Sequence, residues 1–199
     1  VRAEEKSVPP ENFRETLGVD KDTFVISILA RYEESKGLDF LVRSIKRLKE
    51  ITNRKFVLLI AGDGVLYDEI GKMIAQYGLE DNIKRLGFRK DTGNILAISD
   101  LYVNSSKCLE ALSFAMVEAL LNGLPIVATD IGGNPDIVSD KTNCGTLVKF
   151  GDEEAMSAAI KEFAENEEKR KRYSQNAELA AKTVFNLDRL LDDTFKMYM

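Results

Sequence analysis

The chain contains no histidine in its 199 residues. That removes the commonest general base and excludes any Ser-His or Cys-His pairing from within it, so if the chain serves an enzyme, part of the chemistry lies elsewhere. Cysteine occurs only twice, at Cys108 and Cys144, far apart and with no histidine to complete a ligand set. Neither a disulfide framework nor a zinc site is indicated, and the expected setting is reducing and cytosolic. No apolar run approaches the roughly 20 residues needed to cross a bilayer, and no charged start followed by an apolar stretch reads as a signal peptide. A basic excess is also lacking: 28 Lys+Arg stand against 33 Asp+Glu, a formal net charge of −5. This argues against a general nucleic-acid binder, because phosphate-backbone affinity needs a basic face. Any anion must instead be met by a few placed cations. The chain opens on Val1 rather than Met, as expected of an excised or processed piece of something longer.

What is present is enough for a proper core and a soluble surface: 44% apolar and 31% charged residues in a length suited to one full domain, or at most two small ones. Residues 1–23 are polar, carry Pro9-Pro10 and read as a linker or lead-in. From Phe24 onward short β-branched runs alternate with longer amphipathic stretches. Strands are predicted at 24–30, 55–61, 83–87, 100–104, 124–129 and 145–150. Helices are predicted from Leu38, around 66–77, and at 92–98, 112–122, 152–165, 167–183 and 187–198. Parallel neighbours need crossover connections, so the alternation predicts a doubly wound, Rossmann-like parallel α/β sheet. The domain is expected over 24–183, with a C-terminal helix in 184–199.

Ligands of such sheets sit outside the carboxyl ends of the strands, which makes the strand-to-helix turns the place to look. The first turn, Arg31-Tyr32-Glu33-Glu34-Ser35-Lys36-Gly37, carries two cations five residues apart beside a helix start. That arrangement suits a diphosphate; it equally suits a solvated loop with Arg31 paired to Glu33 or Glu34. Gly62-Asp63-Gly64 permits a sharp turn and close backbone approach, and by itself is no more than a tight turn. Next comes Glu110-Ala111-Leu112-Ser113-Phe114-Ala115-Met116-Val117-Glu118. Glu118 lies in an apolar helix, where a carboxylate is costly unless something polar meets it, and sugar hydroxyls are suitable donors. Glu110, just ahead of that helix, is equally well explained as compensation of the helix dipole. The last turn, Thr129 to Asp136, has paired glycines then Pro135, which can aim backbone amides at a ligand or simply form a loop.

In this order, the segments ILARYEESKGLDFLV, LLIAGDG, the E-x7-E element running into EALLNGLPIVATDIGGNPDIV, and NCGTLVKFGD resemble the carboxyl-terminal half of GT-B retaining glycosyltransferases of the family-4 type. The resemblance runs from about Phe24 to the C-terminus. It implies that Arg31 and Lys36 hold the donor diphosphate and offset the charge of the leaving nucleotide without a metal. It further implies that Glu118 accepts from the ribose hydroxyls, that Glu110 contacts the transferred sugar, and that the backbone of Ser113, Phe114 and Ala115 approaches sugar or phosphate. Gly62 and Gly64 would border the donor, and main chain at Leu86, Gly87 and Phe88 would lie near the base. Ala111 stands where the family often has Gly, Ser113 and Phe114 replace a Gly/Pro-containing run, and Asp136 replaces a common Glu.

The expected donor is a nucleotide sugar, with UDP-sugar ahead of GDP-sugar, and the expected acceptor is a glycan, polysaccharide or lipid-linked sugar presented by an N-terminal half. Without that half, the chain is expected to bind donor weakly and transfer nothing. Membrane association, at the inner face, is expected only through the parent enzyme, which otherwise is cytoplasmic. Two other readings share these residues: a nucleotide-sugar epimerase of the same architecture, which needs further acids and bases in the cleft, and a non-catalytic nucleotide-binding module.

Overall fold

A computed structural model describes residues 7–108 and 111–184. In chain order the elements are α1 (Phe13–Thr16), β1 (Phe24–Leu29), a short 3-10 turn (Glu34–Lys36), α2 (Leu38–Ile51), β2 (Phe56–Ala61), α3 (Tyr67–Gln76), β3 (Ile83–Gly87), α4 (Thr92–Ala97), β4 (Leu101–Asn104), α5 (Phe114–Leu121), β5 (Ile126–Thr129), α6 (Asn134–Ile137), β6 (Gly145–Val148), α7 (Glu153–Glu165) and α8 (Glu167–Thr183).

The strands form one six-stranded sheet in the order β3-β2-β1-β4-β5-β6. Every pairing is parallel. The doubly wound expectation is therefore met. Strands are added outward from β1 to β3 on one side and from β4 to β6 on the other, so the strand order reverses between β1 and β4 and the topological switch point lies there. The ladders are unequal: β1 and β2 register over six residue pairs, from Phe24↔Phe56 to Leu29↔Ala61, whereas β1 and β4 register over only Ile26↔Leu101 and Ser27↔Tyr102.

Alternation along the strands assigns side chains to the two faces. Phe24, Ile26 and Ile28 of β1, with Phe56, Leu58 and Ile60 of β2, pack beneath Phe40, Leu41, Ile45 and Leu48 of α2 and Met156, Ile160 and Phe163 of α7. On the other face Val25, Val57 and Leu59 meet Ile95 and Ile98, while Met116 and Leu120 of α5 pack with Ala177, Ala180 and Ala181 of α8.

Element boundaries shift where local chemistry dictates. The strand expected from Leu124 begins at Ile126, because Pro125 has no N–H for the ladder, although its carbonyl still accepts from Tyr102 N at 3.0 Å. The helix expected from 112 begins at Phe114, since Ser113 has extended backbone (φ −81, ψ 99) and takes the N-cap position. The segment expected as lead-in is corrected over residues 13–19: α1 forms, and Phe13 and Val19 are buried in the cluster with Val25, Val57 and Leu59. The helix expected at 187–198 lies outside the described residues. No described helix is long and apolar enough to cross a membrane.

Candidate functional site

Because all six strands run the same way, their carboxyl ends share one edge, and the turns singled out from the sequence meet there. The first turn is held from both sides. Tyr32 N donates to Asp63 O (2.9 Å) and Leu66 N to Tyr32 O (3.0 Å), fixing it to the turn after β2. Across the switch point, Lys107 N donates to Ser35 O (2.9 Å), the Ser105 hydroxyl donates to Lys36 O (2.7 Å), and the Lys107 ammonium pairs with Glu34 at 2.6 Å. Tyr32 anchors the turn from within: it is fully buried, its ring 4.8 Å from that of Tyr67. Burial pushes its phenol far up, and its hydroxyl finds no partner among the described residues.

Gly62 and Gly64 explain themselves by contact. A Cβ on Gly62 would stand 1.9 Å from Ala30 O, and one on Gly64 would stand 2.7 Å from Tyr32 O. Gly62 has φ of +146 and Gly64 of +152, conformations that side chains rarely adopt. These glycines let the second turn lie directly on the first.

At the switch point a cavity of about 170 Å³ is lined by Ile28, Leu29, Ala30, Lys36, Tyr102, Asn104, Ser106, Leu112, Ser113, Phe114 and Ala115. One wall is the start of α5. The side chain of its N-cap residue, Ser113, makes no capping bond among the described residues, and its first-turn bonding begins with Met116 N donating to Ser113 O at 3.0 Å. The amides before that point have no partner within the helix, and together with the dipole they make an anion-receptive end. Lys36, from the turn after β1, also lines the cavity and supplies a cation.

Glu118 follows Ala115 by three residues, so helical spacing puts both on one face. It is half-buried, burial raises its pKa above the usual carboxylate value, and among the described residues no hydrogen bond or ion pair reaches its carboxylate. A carboxylate left without a partner one turn from the cavity is suited to accept from a ligand's hydroxyls.

The structure thus brings together Lys36, Ser113, Phe114, Ala115 and, a turn along, Glu118. Arg31 lies on the same edge but turns outward: its guanidinium pairs with Glu33 at 2.8 Å and is 73% exposed. The solvated-loop reading is realised for Arg31 in this state. Phe88 follows the last residue of β3 and is 72% exposed at the same edge. Glu110 lies outside the described residues.

A buried polar network beneath the cavity was not anticipated from sequence. The Asn104 amide nitrogen donates to Ser113 Oγ (3.3 Å), while its carbonyl oxygen accepts from Ser106 N (3.0 Å) and from Asn134 Nδ2 (3.5 Å). Asn134 also donates to Thr129 O (3.0 Å), and the Thr129 hydroxyl donates to Ser106 O (2.7 Å). The available signal was the polar run Asn104-Ser105-Ser106 directly after an apolar strand. Among the described residues no group of three or more Cys, Asp or Glu is placed to hold a metal ion.

Fold and site together define a Rossmann-like α/β domain with an anion-receptive cavity at its switch point. The family model described as glycosyl transferases group 1 matches residues 10–180, and the chain belongs to that family. An uncharacterized glycosyltransferase of Methanocaldococcus jannaschii is 30% identical over 87% of this chain and 49% of its own length. A Campylobacter jejuni N-acetylgalactosamine-N,N'-diacetylbacillosaminyl-diphospho-undecaprenol 4-alpha-N-acetylgalactosaminyltransferase is 30% identical over 88% of this chain and 46% of its own length. Among solved structures, Anabaena Alr3699/HepE in complex with UDP superposes with a TM-score of 0.88 at 24% identity, covering 100% of this chain and 55% of that one. The fold is that of a GT-B carboxyl-terminal domain. The chain spans about half the length of the curated relatives it matches.

Proposed function

We propose that this chain is the donor-binding domain of a retaining glycosyltransferase that takes a nucleotide sugar, with UDP as the nucleotide, and passes its hexose to a glycan, polysaccharide or lipid-linked acceptor. The observation that carries the proposal is the cavity at the switch point, which Lys36 and the uncapped start of α5 both line and beyond which, one turn along, lies an unpaired Glu118. Lys36 and the leading amides of α5 would receive the diphosphate and stabilise its charge as it departs. Glu118 would accept from the ribose. Arg31 would join them by exchanging Glu33 for phosphate, an easy trade because an exposed ion pair is worth little. Glu110, the last member of the E-x7-E pattern to be assigned, would contact the sugar.

The neighbour solved with UDP and the relatives named as glycosyltransferases support this reading over an epimerase or a non-catalytic module. The acceptor site would come from an N-terminal half outside this chain, so the chain alone would bind donor and turn over none. Its setting would be the cytoplasm, with any membrane contact made by the parent enzyme.

Calorimetric titration with UDP and GDP separately tests the proposal. UDP should bind more tightly than GDP, and Lys36→Ala should weaken UDP by about tenfold or more, the worth of one charge-assisted bond to phosphate. Absence of heat with both nucleotides, or an unchanged affinity in Lys36→Ala, would overturn it.

A further inference from the structure

Ser113 is the N-cap residue of α5, it has the extended backbone of a capping residue (φ −81, ψ 99), and it is of the residue type that caps best, yet its side chain makes no capping bond. The neighbouring case is different. Asp152 and Asn166 precede α7 and α8, and each accepts from the amide three residues on at 2.8 Å. Asp91 before α4 caps nothing because Arg89 takes its carboxylate, and the Ser113 hydroxyl oxygen is likewise engaged elsewhere: the Asn104 amide nitrogen donates to it at 3.3 Å. Asn104 is in turn fixed, its carbonyl oxygen accepting from Ser106 N at 3.0 Å and from Asn134 at 3.5 Å.

Asn134 shows how firmly the arrangement is set. The residue is 1% exposed, its amide nitrogen donates to Thr129 O, and its side-chain carbonyl oxygen is buried with no partner among the described residues. The orientation that reaches Asn104 is kept even though it strands an acceptor.

We propose that Asn104 is a positioning residue for phosphate binding: it draws the Ser113 hydroxyl away from the first turn of α5 and so keeps the leading amides of that helix open to an anion in the cavity. Without Asn104 the hydroxyl would turn to the Ala115 amide, cap the helix, and compete with the phosphate for the same donor. The inference rests on the donor-binding reading above and deepens it.

The test combines amide exchange with calorimetry on the full chain. Asn104→Ala should slow exchange of the Ala115 amide, weaken UDP by about fivefold, the scale of one helix-end contact to an anion, and leave uridine, which has no phosphate, unaffected. Adding Ser113→Ala should then restore UDP affinity, a rescue that a merely structural role for Asn104 would not produce. Asn104→Ser retains a hydroxyl able to accept from Ser106 N but lacks the reach to Ser113, so it decides the matter if Asn104→Ala does not fold. Unchanged exchange at Ala115, or a double variant no better than Asn104→Ala, would overturn the proposal while wild-type UDP binding still upheld the donor site. Failure of the wild-type chain to bind UDP would overturn both.

Discussion

Glu118 is the residue whose energetics say most about the site. A carboxyl whose folded pKa lies above its ordinary value is bound more tightly by protons in the folded chain than in the unfolded one, so the fold gains stability as pH falls through the folded pKa and carries the full penalty above it. Glu118→Gln should therefore stabilise the unliganded chain at pH 7. The gain should be at most about 1 kcal/mol, since the half-buried side chain still reaches water, and it should shrink toward zero as pH approaches the ordinary carboxylate range. Urea unfolding at several pH values measures it. The same variant should weaken UDP while gaining stability, which is the signature of a side chain kept for its ligand. A loss of stability in Glu118→Gln at pH 7 would instead mean that the carboxylate has a partner in the folded chain.

At the scale of elements, the site is made where neighbouring turns interlock. Gly62 shows the constraint: a methyl there would meet the Ala30 carbonyl oxygen at 1.9 Å, a backbone atom that cannot swing aside. Gly62→Ala should cost about 2–3 kcal/mol, combining strained φ with the clash, and chemical denaturation should report it. Much at this level was legible in sequence. Lys36 could be placed at the ligand edge because a β-branched run, a turn and an amphipathic helix follow each other without ambiguity. The reason for Gly62 was not legible, because it depends on which strand lies alongside. Asn104 was missed for the same reason: Ser113 comes back to it nine residues on, at the start of α5, and Asn134, the first residue of α6, is brought within reach by the pairing of β4 with β5. Phe13 and Val19 escaped notice because a polar, proline-bearing segment conceals two anchors whose burial is decided by the sheet they cover.

For the molecule as a whole, the consequential feature is the unequal lacing of its sheet. β1 is joined to β2 along its whole length but to β4 by two residue pairs only. The proposed donor cavity opens directly above that short join, with Lys36 contributed from one side of it and the start of α5 from the other. A diphosphate held by both would act as a rivet across a seam. Ligation should then slow amide exchange at Asp100, whose amide donates to Val25 O across the join at 2.8 Å, more than at Leu59 in the well-laced flank, a comparison that two-dimensional NMR resolves residue by residue. Equal slowing throughout would mean global stabilisation alone. A domain fastened in this way would become a single stiff block on taking up the proposed donor, and would do so along the one line where its own backbone is least stitched.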